Sequence, residues 1–183
     1  MNQTLHLIDV LSNESRKTGI KLSTLLTIAI VESGGDPRSQ TGKYKGLFML
    51  SDEEFKKYGD PDFASIFDME ANADAAGALF VDLAYHFHSK MERWPLPHEL
   101  YLMHQQGVGG SMQHFRNPRL LAWQNMRGTA EGRRKGEEWC KKAVWGNMTP
   151  DMRKGKDIET LTSEQFVYGW YKHMDKIVRE RIS

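Results

Sequence analysis

The sequence of 183 residues predicts an all-α protein with one compact helical domain spanning residues 1–183. Apolar residues recur at helical spacing in several segments, whereas the alternation that is typical of half-buried strands is scarce. Apolar residues make up 39% of the chain, close to the globular average, so a substantial core can form. Because neither an internal repeat nor a long linker divides the chain, we expect a single domain.

The first two helices are predicted from apolar spacing and from residues that favour helix ends. Apolar side chains at helical spacing in residues 5–11 indicate a helix near the N-terminus. Ser23 or Thr24 is expected to cap a second helix through the apolar stretch Leu25–Val31. That helix is expected to stop at Gly34-Gly35, because glycine favours helix termination.

A loop and a third helix are predicted next. The loop is rich in Gly, Ser, Thr and Lys and runs from Gly34 to Gly46. Ser51 precedes three acidic residues, which are favourable in a first helical turn because they face the positive end of the helix dipole. A turn is expected at Asp60-Pro61.

The longest helix is predicted over Met69–Met91, where apolar residues form a stripe along one face. The segment Trp94–Pro97 breaks this helix, and its last proline is well placed to open another helix that runs through Gln106. The glycines of residues 107–110 are expected to end that helix.

The C-terminal part of the sequence is less informative. Residues 128–157 are rich in Gly, Lys and Arg and predict no clear element. Thr162 or Ser163 is expected to begin a final helix with apolar residues at helical spacing. Five aromatic residues suit either the core or sugar stacking, and we favour the core: Trp123, Trp139, Trp145, Trp170 and Tyr171.

Composition excludes several classes of protein. No stretch approaches the roughly 20 apolar residues that a membrane span requires, so no membrane span is expected. The N-terminal segment lacks the basic start and apolar region of a Sec-type signal peptide, so no export address is expected. Cys140 is the only cysteine, which excludes an intrachain disulfide, and we expect it to pack beside Trp139.

The net charge is +1, but acidic residues crowd the first half of the chain and basic residues the second. A basic face can bind an anionic polymer. No recognised nucleic-acid motif accompanies these charges, so nucleic acid is not an expected partner. A solvated surface is the favoured interpretation of the basic half.

Glu32 is the most informative single residue, because it ends an apolar helix and precedes a glycine-rich loop. Burial and the negative end of the helix dipole are both expected to raise its pKa. A carboxyl group with a raised pKa can donate a proton to a glycosidic oxygen at neutral pH. Glycines after it would let a polymer approach closely. From these features alone, a solvent-facing glutamate at a helix end is an equal alternative.

Short motifs follow in a fixed order along the chain: Glu32–Pro37, Ser39–Gly42, Lys45–Phe48, Asp68–Gly77, Met103–Gly107 and Trp145–Pro150. Each motif is commonplace alone, but together they resemble the lytic transglycosylase family with a goose-lysozyme-like fold, particularly its small phage-encoded members. The resemblance covers residues 20–126 closely and residues 127–183 loosely. It implies a lysozyme-like helical domain in which Glu32 belongs to the family's catalytic Glu-Ser motif.

The resemblance implies a reaction that needs only one carboxyl group. Glu32 would protonate the oxygen between N-acetylmuramic acid and N-acetylglucosamine in bacterial peptidoglycan. It would then accept the proton of the muramic C6 hydroxyl as that oxygen attacks the anomeric carbon, which gives a 1,6-anhydro sugar. No metal and no cofactor are implied. Substrate contacts are expected from Ser39 or Thr41, the backbone near Phe48 and Met49, Gln105 and, as a stacking face, Tyr101.

The sequence departs from the family pattern at three positions. Met49 stands where the family usually has glutamine, and Gln105 replaces a common asparagine. Phe166 stands where many members have a tyrosine whose hydroxyl approaches the catalytic glutamate. Tyr168 and Tyr171 lie nearby in the sequence, but at a different helical phase.

Three alternatives remain open from the sequence. A hydrolytic muramidase would use Asp36 or Asp52 to position water, although we favour a structural role for both, Asp36 as a turn residue before Pro37 and Asp52 as a helix-start acid. A structural or wall-binding component of a phage particle would keep the fold without the chemistry. A metal site would draw on histidines that lack a recognised ligand spacing, namely His86, His88, His98, His104 and His114.

A phage origin, which the resemblance implies, sets the expected location and partners. The protein would be made in the host cytoplasm and would act on periplasmic peptidoglycan. An endolysin would pass through a lesion in the membrane. A virion-associated enzyme would instead travel with phage tail or virion proteins.

Overall fold

The computed structural model describes residues 3–59 and 65–182, and its regular elements are helices apart from one short hairpin. The all-α prediction is therefore confirmed. The helices are α1 Gln3–Thr18, α2 Leu22–Ser33, α3 Asp52–Tyr58, α4 Met69–Met91, α5 Pro97–Gln105, α6 Gly107–Arg116, α7 Ala122–Arg127, α8 Ala130–Lys135, α9 Glu137–Gly146, α10 Pro150–Arg153 and α11 Ser163–Ile177, followed by a π-helical segment Val178–Ile182. The hairpin pairs β1 Gln40–Thr41 with β2 Tyr44–Lys45.

The chain divides into two compact units. The first unit comprises residues 1–86 with 176–183, and the second comprises residues 87–175. The prediction of one domain over residues 1–183 stays a prediction. Within the part of the chain that the structure describes, no helix is long and apolar enough to cross a membrane.

In the first unit, α1 packs against α2 through an apolar core that includes Leu11, Leu25 and Ile28, all fully buried. The predicted cap of α2 by Ser23 or Thr24 is wrong. The helix begins two to three residues earlier, because the Lys21 carbonyl accepts the first N–H groups and no side chain caps this end.

The start of α3 and both ends of α4 agree with the sequence prediction. Ser51 caps α3 with a capping box, since its Oγ accepts from the Glu54 N–H and the Glu54 carboxylate accepts from the Ser51 N–H. The bounds of α4 match the predicted bounds residue for residue. The predicted loop from Gly34 to Gly46 holds, except that it contains the β1–β2 hairpin. The turn predicted at Asp60-Pro61 lies outside the described residues.

In the second unit, α5 ends at Gln105, within one residue of the predicted end before Gly107, but Gly109 and Gly110 do not end a helix as predicted. Gly107, with φ of 70°, lies where α5 gives way to α6, and Gly109 and Gly110 lie inside α6. A Cβ atom at Gly110 would lie 2.8 Å from the Met126 sulfur. The missing side chain therefore allows α6 to pack closely against α7.

The C-terminal segment contains more helix than its composition suggests, since α8, α9 and α10 lie within residues 128–157. Cys140 is fully buried, and its thiol donates to the Gly132 carbonyl at 3.7 Å. Its thiol is therefore a packing element, as predicted. Of the five aromatic residues assigned to the core, Trp123 and Trp170 are buried, whereas two tryptophans are half-buried and Tyr171 is 44% exposed.

Candidate functional site

Glu32 lies in the last turn of α2 and is half-buried. The helix ends directly after it because Gly34 adopts the left-handed conformation, with φ of 69°. The N–H groups of Gly34 and Gly35 then donate to the carbonyls of Ile30 and Ala29, at 3.0 and 3.2 Å. The predicted helix end is therefore confirmed, and Glu32 lies at the negative end of the helix dipole.

Ser33 connects the end of α2 to the segment after the hairpin. Its Oγ lies 2.8 Å from the Leu47 carbonyl and 3.0 Å from the Ala29 carbonyl, and one hydroxyl proton serves these two acceptors. The same Oγ accepts from the Gly35 N–H at 3.2 Å. This hydroxyl therefore holds the backbone next to Glu32 against the Gly46–Leu50 segment.

The two candidates for substrate contact in the loop occupy different positions. Ser39 is half-buried, its hydroxyl donates to the Ser33 carbonyl at 3.3 Å, and its own carbonyl accepts from the Gly46 N–H at 2.8 Å. Thr41 lies on β1 and is exposed. Ser39 is therefore the candidate that the backbone hydrogen bonds hold beside α2.

Asn72 on α4 anchors the Gly46–Leu50 segment by a hydrogen bond. Its side chain is fully buried, its Oδ1 accepts from the Phe48 N–H at 2.8 Å, and its Nδ2 donates to the Ile66 carbonyl at 2.9 Å. Gly46 has a φ of 81°, and a Cβ atom there would overlap the Asn72 side-chain amide. Glu32, Ser33, Ser39, Gly46 and Asn72 are called the Glu32 site below.

Phe48 and Met49 do not offer free backbone donors to a ligand. The Phe48 N–H is used by Asn72, and the Met49 N–H donates to the Gly46 carbonyl at 3.2 Å. The Phe48 ring is fully buried and meets the Phe80 ring edge-on at 5.5 Å. Met49 is 8% exposed and has a φ of 49°, which is unusual for a residue other than glycine. These two N–H groups are therefore not available for the predicted contact with substrate, and the rest of the predicted backbone lining at Phe48 and Met49 stays a prediction.

Tyr101 and Gln105 belong to α5 in the second unit. The Tyr101 ring is 2% exposed and packs 4.8 Å from the Trp170 ring, so the predicted stacking face is wrong. Gln105 is half-buried, and its Nε2 donates to the Tyr101 hydroxyl at 2.8 Å. Its Oε1 accepts from Gln106 at 3.2 Å.

The carboxylates considered for a hydrolase have local partners. Asp36 Oδ1 accepts from the Arg38 N–H at 2.8 Å, which is the geometry of an Asx turn. Asp52 lies in the first turn of α3 and pairs with Lys45 Nζ at 2.9 Å. Both carboxylates therefore match the structural interpretation of these residues.

Two further sequence candidates are accounted for by packing. Phe166 is fully buried, and the centroids of its ring and of the His114 ring are 5.1 Å apart. Among the residues that the structure describes, no group of three or more His, Cys, Asp or Glu side chains is arranged to hold a metal ion. The histidine alternative therefore has no support in the described ranges.

The sequence interpretation overlooked Glu14, a buried carboxyl group on α1 that is 4% exposed. Burial raises its pKa to about 7, and the nearby Asp74 carboxylate adds to this effect while Lys17 opposes it. A Cβ atom at Gly77 would overlap the Glu14 carboxylate, so glycine there makes room for it. The signal was present in the sequence, since Glu14 follows Leu7 and the next apolar positions at helical spacing.

Comparison with known proteins adds no family assignment. No protein-family profile matches the chain, and no curated protein matches it at a significant level.

Proposed function

We propose that the chain is a lytic transglycosylase of bacterial peptidoglycan, with Glu32 as its general acid and base. The observation that carries the proposal is the hydrogen-bonded frame that holds the end of α2, where Glu32 lies. Four residues from separate motifs of the sequence are connected within the first unit by hydrogen bonds, either directly or through neighbouring backbone groups. They are Ser33, Ser39, Gly46 and Asn72. A frame of this kind supports a site in which one carboxyl group must be held in place.

The proposed reaction is an intramolecular displacement. The Glu32 carboxyl donates its proton to the glycosidic oxygen as the bond from N-acetylmuramic acid to that oxygen breaks. The resulting carboxylate accepts the proton of the C6 hydroxyl while O6 bonds to the anomeric carbon. The products are a free N-acetylglucosamine end and a 1,6-anhydro-muramic end, and Glu32 recovers its proton. No step requires a second carboxylate, a metal or a cofactor.

Replacement of Glu32 by glutamine tests the role of this residue. The Glu32→Gln protein is expected to release no soluble muropeptides from sacculi, whereas the wild type releases 1,6-anhydro-muropeptides. The loss should exceed about a hundredfold, because general acid catalysis commonly contributes 10²–10⁴-fold. Mass spectrometry of the products is the measurement, and circular dichroism checks that the variant is folded. Asp52→Asn serves as the matched control and is expected to retain activity.

The product mass separates the two enzymatic alternatives. Products that are heavier by one water identify a hydrolytic muramidase, and Asp36→Asn would then be the next variant to measure. Absence of products from the wild type contradicts the enzymatic proposal. It would favour a structural or wall-binding component of a phage particle.

We also propose that the protein is made in a host cytoplasm and acts on periplasmic peptidoglycan, as an endolysin or as a virion-associated enzyme. The support is the resemblance of the sequence to phage members of the family. Mass spectrometry of purified phage particles separates the two routes. The virion route requires the protein in the particle, together with tail or other virion proteins as partners.

A further inference from the structure

A cavity in the second unit contains none of the residues of the Glu32 site. Its volume is about 390 Å³, and it is lined by the C-terminal end of α4, the start of α5, the end of α6 and one face of α11. This volume falls in the range of cavities that take small ligands and is large enough for one sugar ring.

An aromatic pair forms one wall of the cavity. Tyr168 and Tyr171 lie one turn apart on α11 and are 53% and 44% exposed. Their rings stack with centroids 5.7 Å apart and an angle of 24° between the planes. His98 meets Tyr171 edge-on at 5.4 Å and so supports the pair from α5. Exposed aromatic rings with hydroxyl groups at their tips offer both an apolar surface and hydrogen-bonding groups.

A buried imidazole at the cavity has an unused polar atom. His114 lines the cavity, is 1% exposed, and has its Nδ1 2.6 Å from the Ser163 hydroxyl. Asn125 donates to the same hydroxyl oxygen at 2.7 Å, so the Ser163 hydroxyl has both His114 and Asn125 as partners. The other ring nitrogen of His114, Nε2, has no hydrogen-bond partner among the described residues. A ligand with a hydrogen-bonding group would give this nitrogen a partner.

The charges around the cavity do not favour an anionic ligand. Arg93 is held by two hydrogen bonds to Glu99, at 2.6 and 2.8 Å, so these two charges compensate each other. Glu164 adds a negative charge to the lining, and the Lys172 ammonium lies 5.2 Å from the Tyr168 ring centroid. No surplus of positive charge is present to bind a carboxylate.

We propose that this cavity binds an uncharged N-acetylated sugar ring, so that the chain holds a second glycan-binding site besides the Glu32 site. The apolar face of the ring packs on the wall that Tyr168 and Tyr171 form, and its acetamido group, which has both an N–H donor and a carbonyl acceptor, supplies the partner that His114 Nε2 lacks. The identity of the natural ligand, an N-acetylglucosamine unit of a glycan strand, rests on the proposed function. The preference of the cavity for an uncharged acetamido sugar does not depend on the proposed function.

Titration with a β-1,4-linked tetramer of N-acetylglucosamine tests this site. The protein carries Glu32→Gln so that no turnover occurs, and the probe signals are the NMR resonances of the His98 ring and of the two tyrosine rings. We expect these resonances to shift on titration and the Tyr168→Ala, Tyr171→Ala double variant to bind at least tenfold more weakly. Tyr85→Ala is the matched control, because Tyr85 is 62% exposed and does not line the cavity.

Three outcomes would overturn the proposal. The first is an absence of shifts at the cavity resonances, and the second is equal affinity of the double variant and the control. The third is tighter binding of a muramic acid fragment with a free carboxylate than of the uncharged tetramer. Circular dichroism of each variant establishes that it is folded. Because binding is measured in the Glu32→Gln protein, a failure of the lytic activity does not change any of these outcomes.

Discussion

Two buried titratable side chains make the free energy of unfolding depend on pH. Glu14 is the first, because it is buried on α1 against Gly77, with Lys17 and Asp74 as its charged neighbours. An acid whose pKa is raised in the folded protein binds its proton more tightly there than in the unfolded chain. Its ionisation therefore costs stability as the pH rises from 4.5 to about 7.

We predict that Glu14→Gln removes this cost. A shift from 4.5 to about 7 corresponds to at most about 3 kcal/mol. Glu14 also lines a cavity of about 460 Å³ in the first unit, formed by residues of α1 and α4, and solvent screening there reduces the expected value to about 2 kcal/mol. The free energy of unfolding of the variant, relative to wild type, should rise by this amount between pH 4.5 and 7. Urea unfolding at several pH values is the measurement. Glu70→Gln, an exposed change beside the same cavity, is the control.

His114 has the opposite effect on the pH dependence of stability. Burial lowers the pKa of its imidazole from 6.5 to about 4, so the folded protein binds this proton less tightly than the unfolded chain. Stability is therefore lost as the pH falls from 6.5 to about 4, by about 3 kcal/mol.

We predict that His114→Gln abolishes this acid-side loss, although the variant starts from a lower stability because it disturbs the contact with Ser163. The relevant quantity is again the difference in unfolding free energy from wild type, followed from pH 7 to pH 4. His86→Gln, at an exposed position, is the control. A difference that stays constant over this range would contradict the assignment of the acid-side loss to His114.

Among the elements, the turn from Gly46 to Leu50 depends on close contact with α4. Gly46 adopts a positive φ, and an added Cβ atom would overlap Asn72 and lie 2.5 Å from the Ile66 carbonyl oxygen. We predict that Gly46→Ala lowers the free energy of unfolding by more than about 2 kcal/mol, because strain and overlap act together.

The matched control for this substitution lies in the β1–β2 hairpin. Gly42 also has a positive φ, of 58°, but an added Cβ atom there would have no neighbour within 4 Å. Gly42→Ala should therefore show the backbone strain alone, about 1 kcal/mol. Chemical denaturation of both variants measures the two losses. Equal losses would mean that the contact with Asn72 does not constrain the turn.

The same elements show which parts of the fold can be predicted from the sequence. The bounds of α4 and the capping box of α3 follow from the local sequence. The apolar stripe of α4 and the Ser51–Glu54 cap of α3 are each formed by residues close together in the chain. Gly109 and Gly110 misled the prediction, because they lie inside α6 and do not end α5. Gly110 serves the packing of α6 on Met126, and the local sequence does not contain that contact.

Some features of the candidate site can likewise be predicted from the local sequence, and others depend on tertiary packing. The end of α2 after Glu32 is predictable from two glycines, whereas the anchoring of Phe48 by Asn72 joins residues 24 positions apart. Tyr101 was expected to offer a stacking face to a ligand, and the backbone near Phe48 was expected to line the cleft. Their burial depends on how α5 and the Gly46–Leu50 segment pack, which residue spacing alone does not specify.

At the level of the whole molecule, the two titrating groups test whether the chain is one domain. Glu14 belongs to the first unit and His114 to the second, and all five tryptophans lie between residues 94 and 170, in the second unit. Tryptophan fluorescence therefore reports on unfolding of the second unit, while far-ultraviolet circular dichroism reports on both units.

If the whole chain unfolds as one cooperative domain, a change in the first unit must shift the transition seen in the second. We then predict that Glu14→Gln moves the tryptophan fluorescence midpoint at pH 7 to higher urea, by the same amount as the circular dichroism midpoint. The opposing effects of Glu14 and His114 would also largely cancel, so wild-type stability would change little between pH 4 and 7 through this pair. Two units that unfold independently would give a fluorescence midpoint that does not respond to Glu14→Gln. In that case the wild-type fluorescence transition would follow the His114 titration alone and weaken steadily as the pH falls.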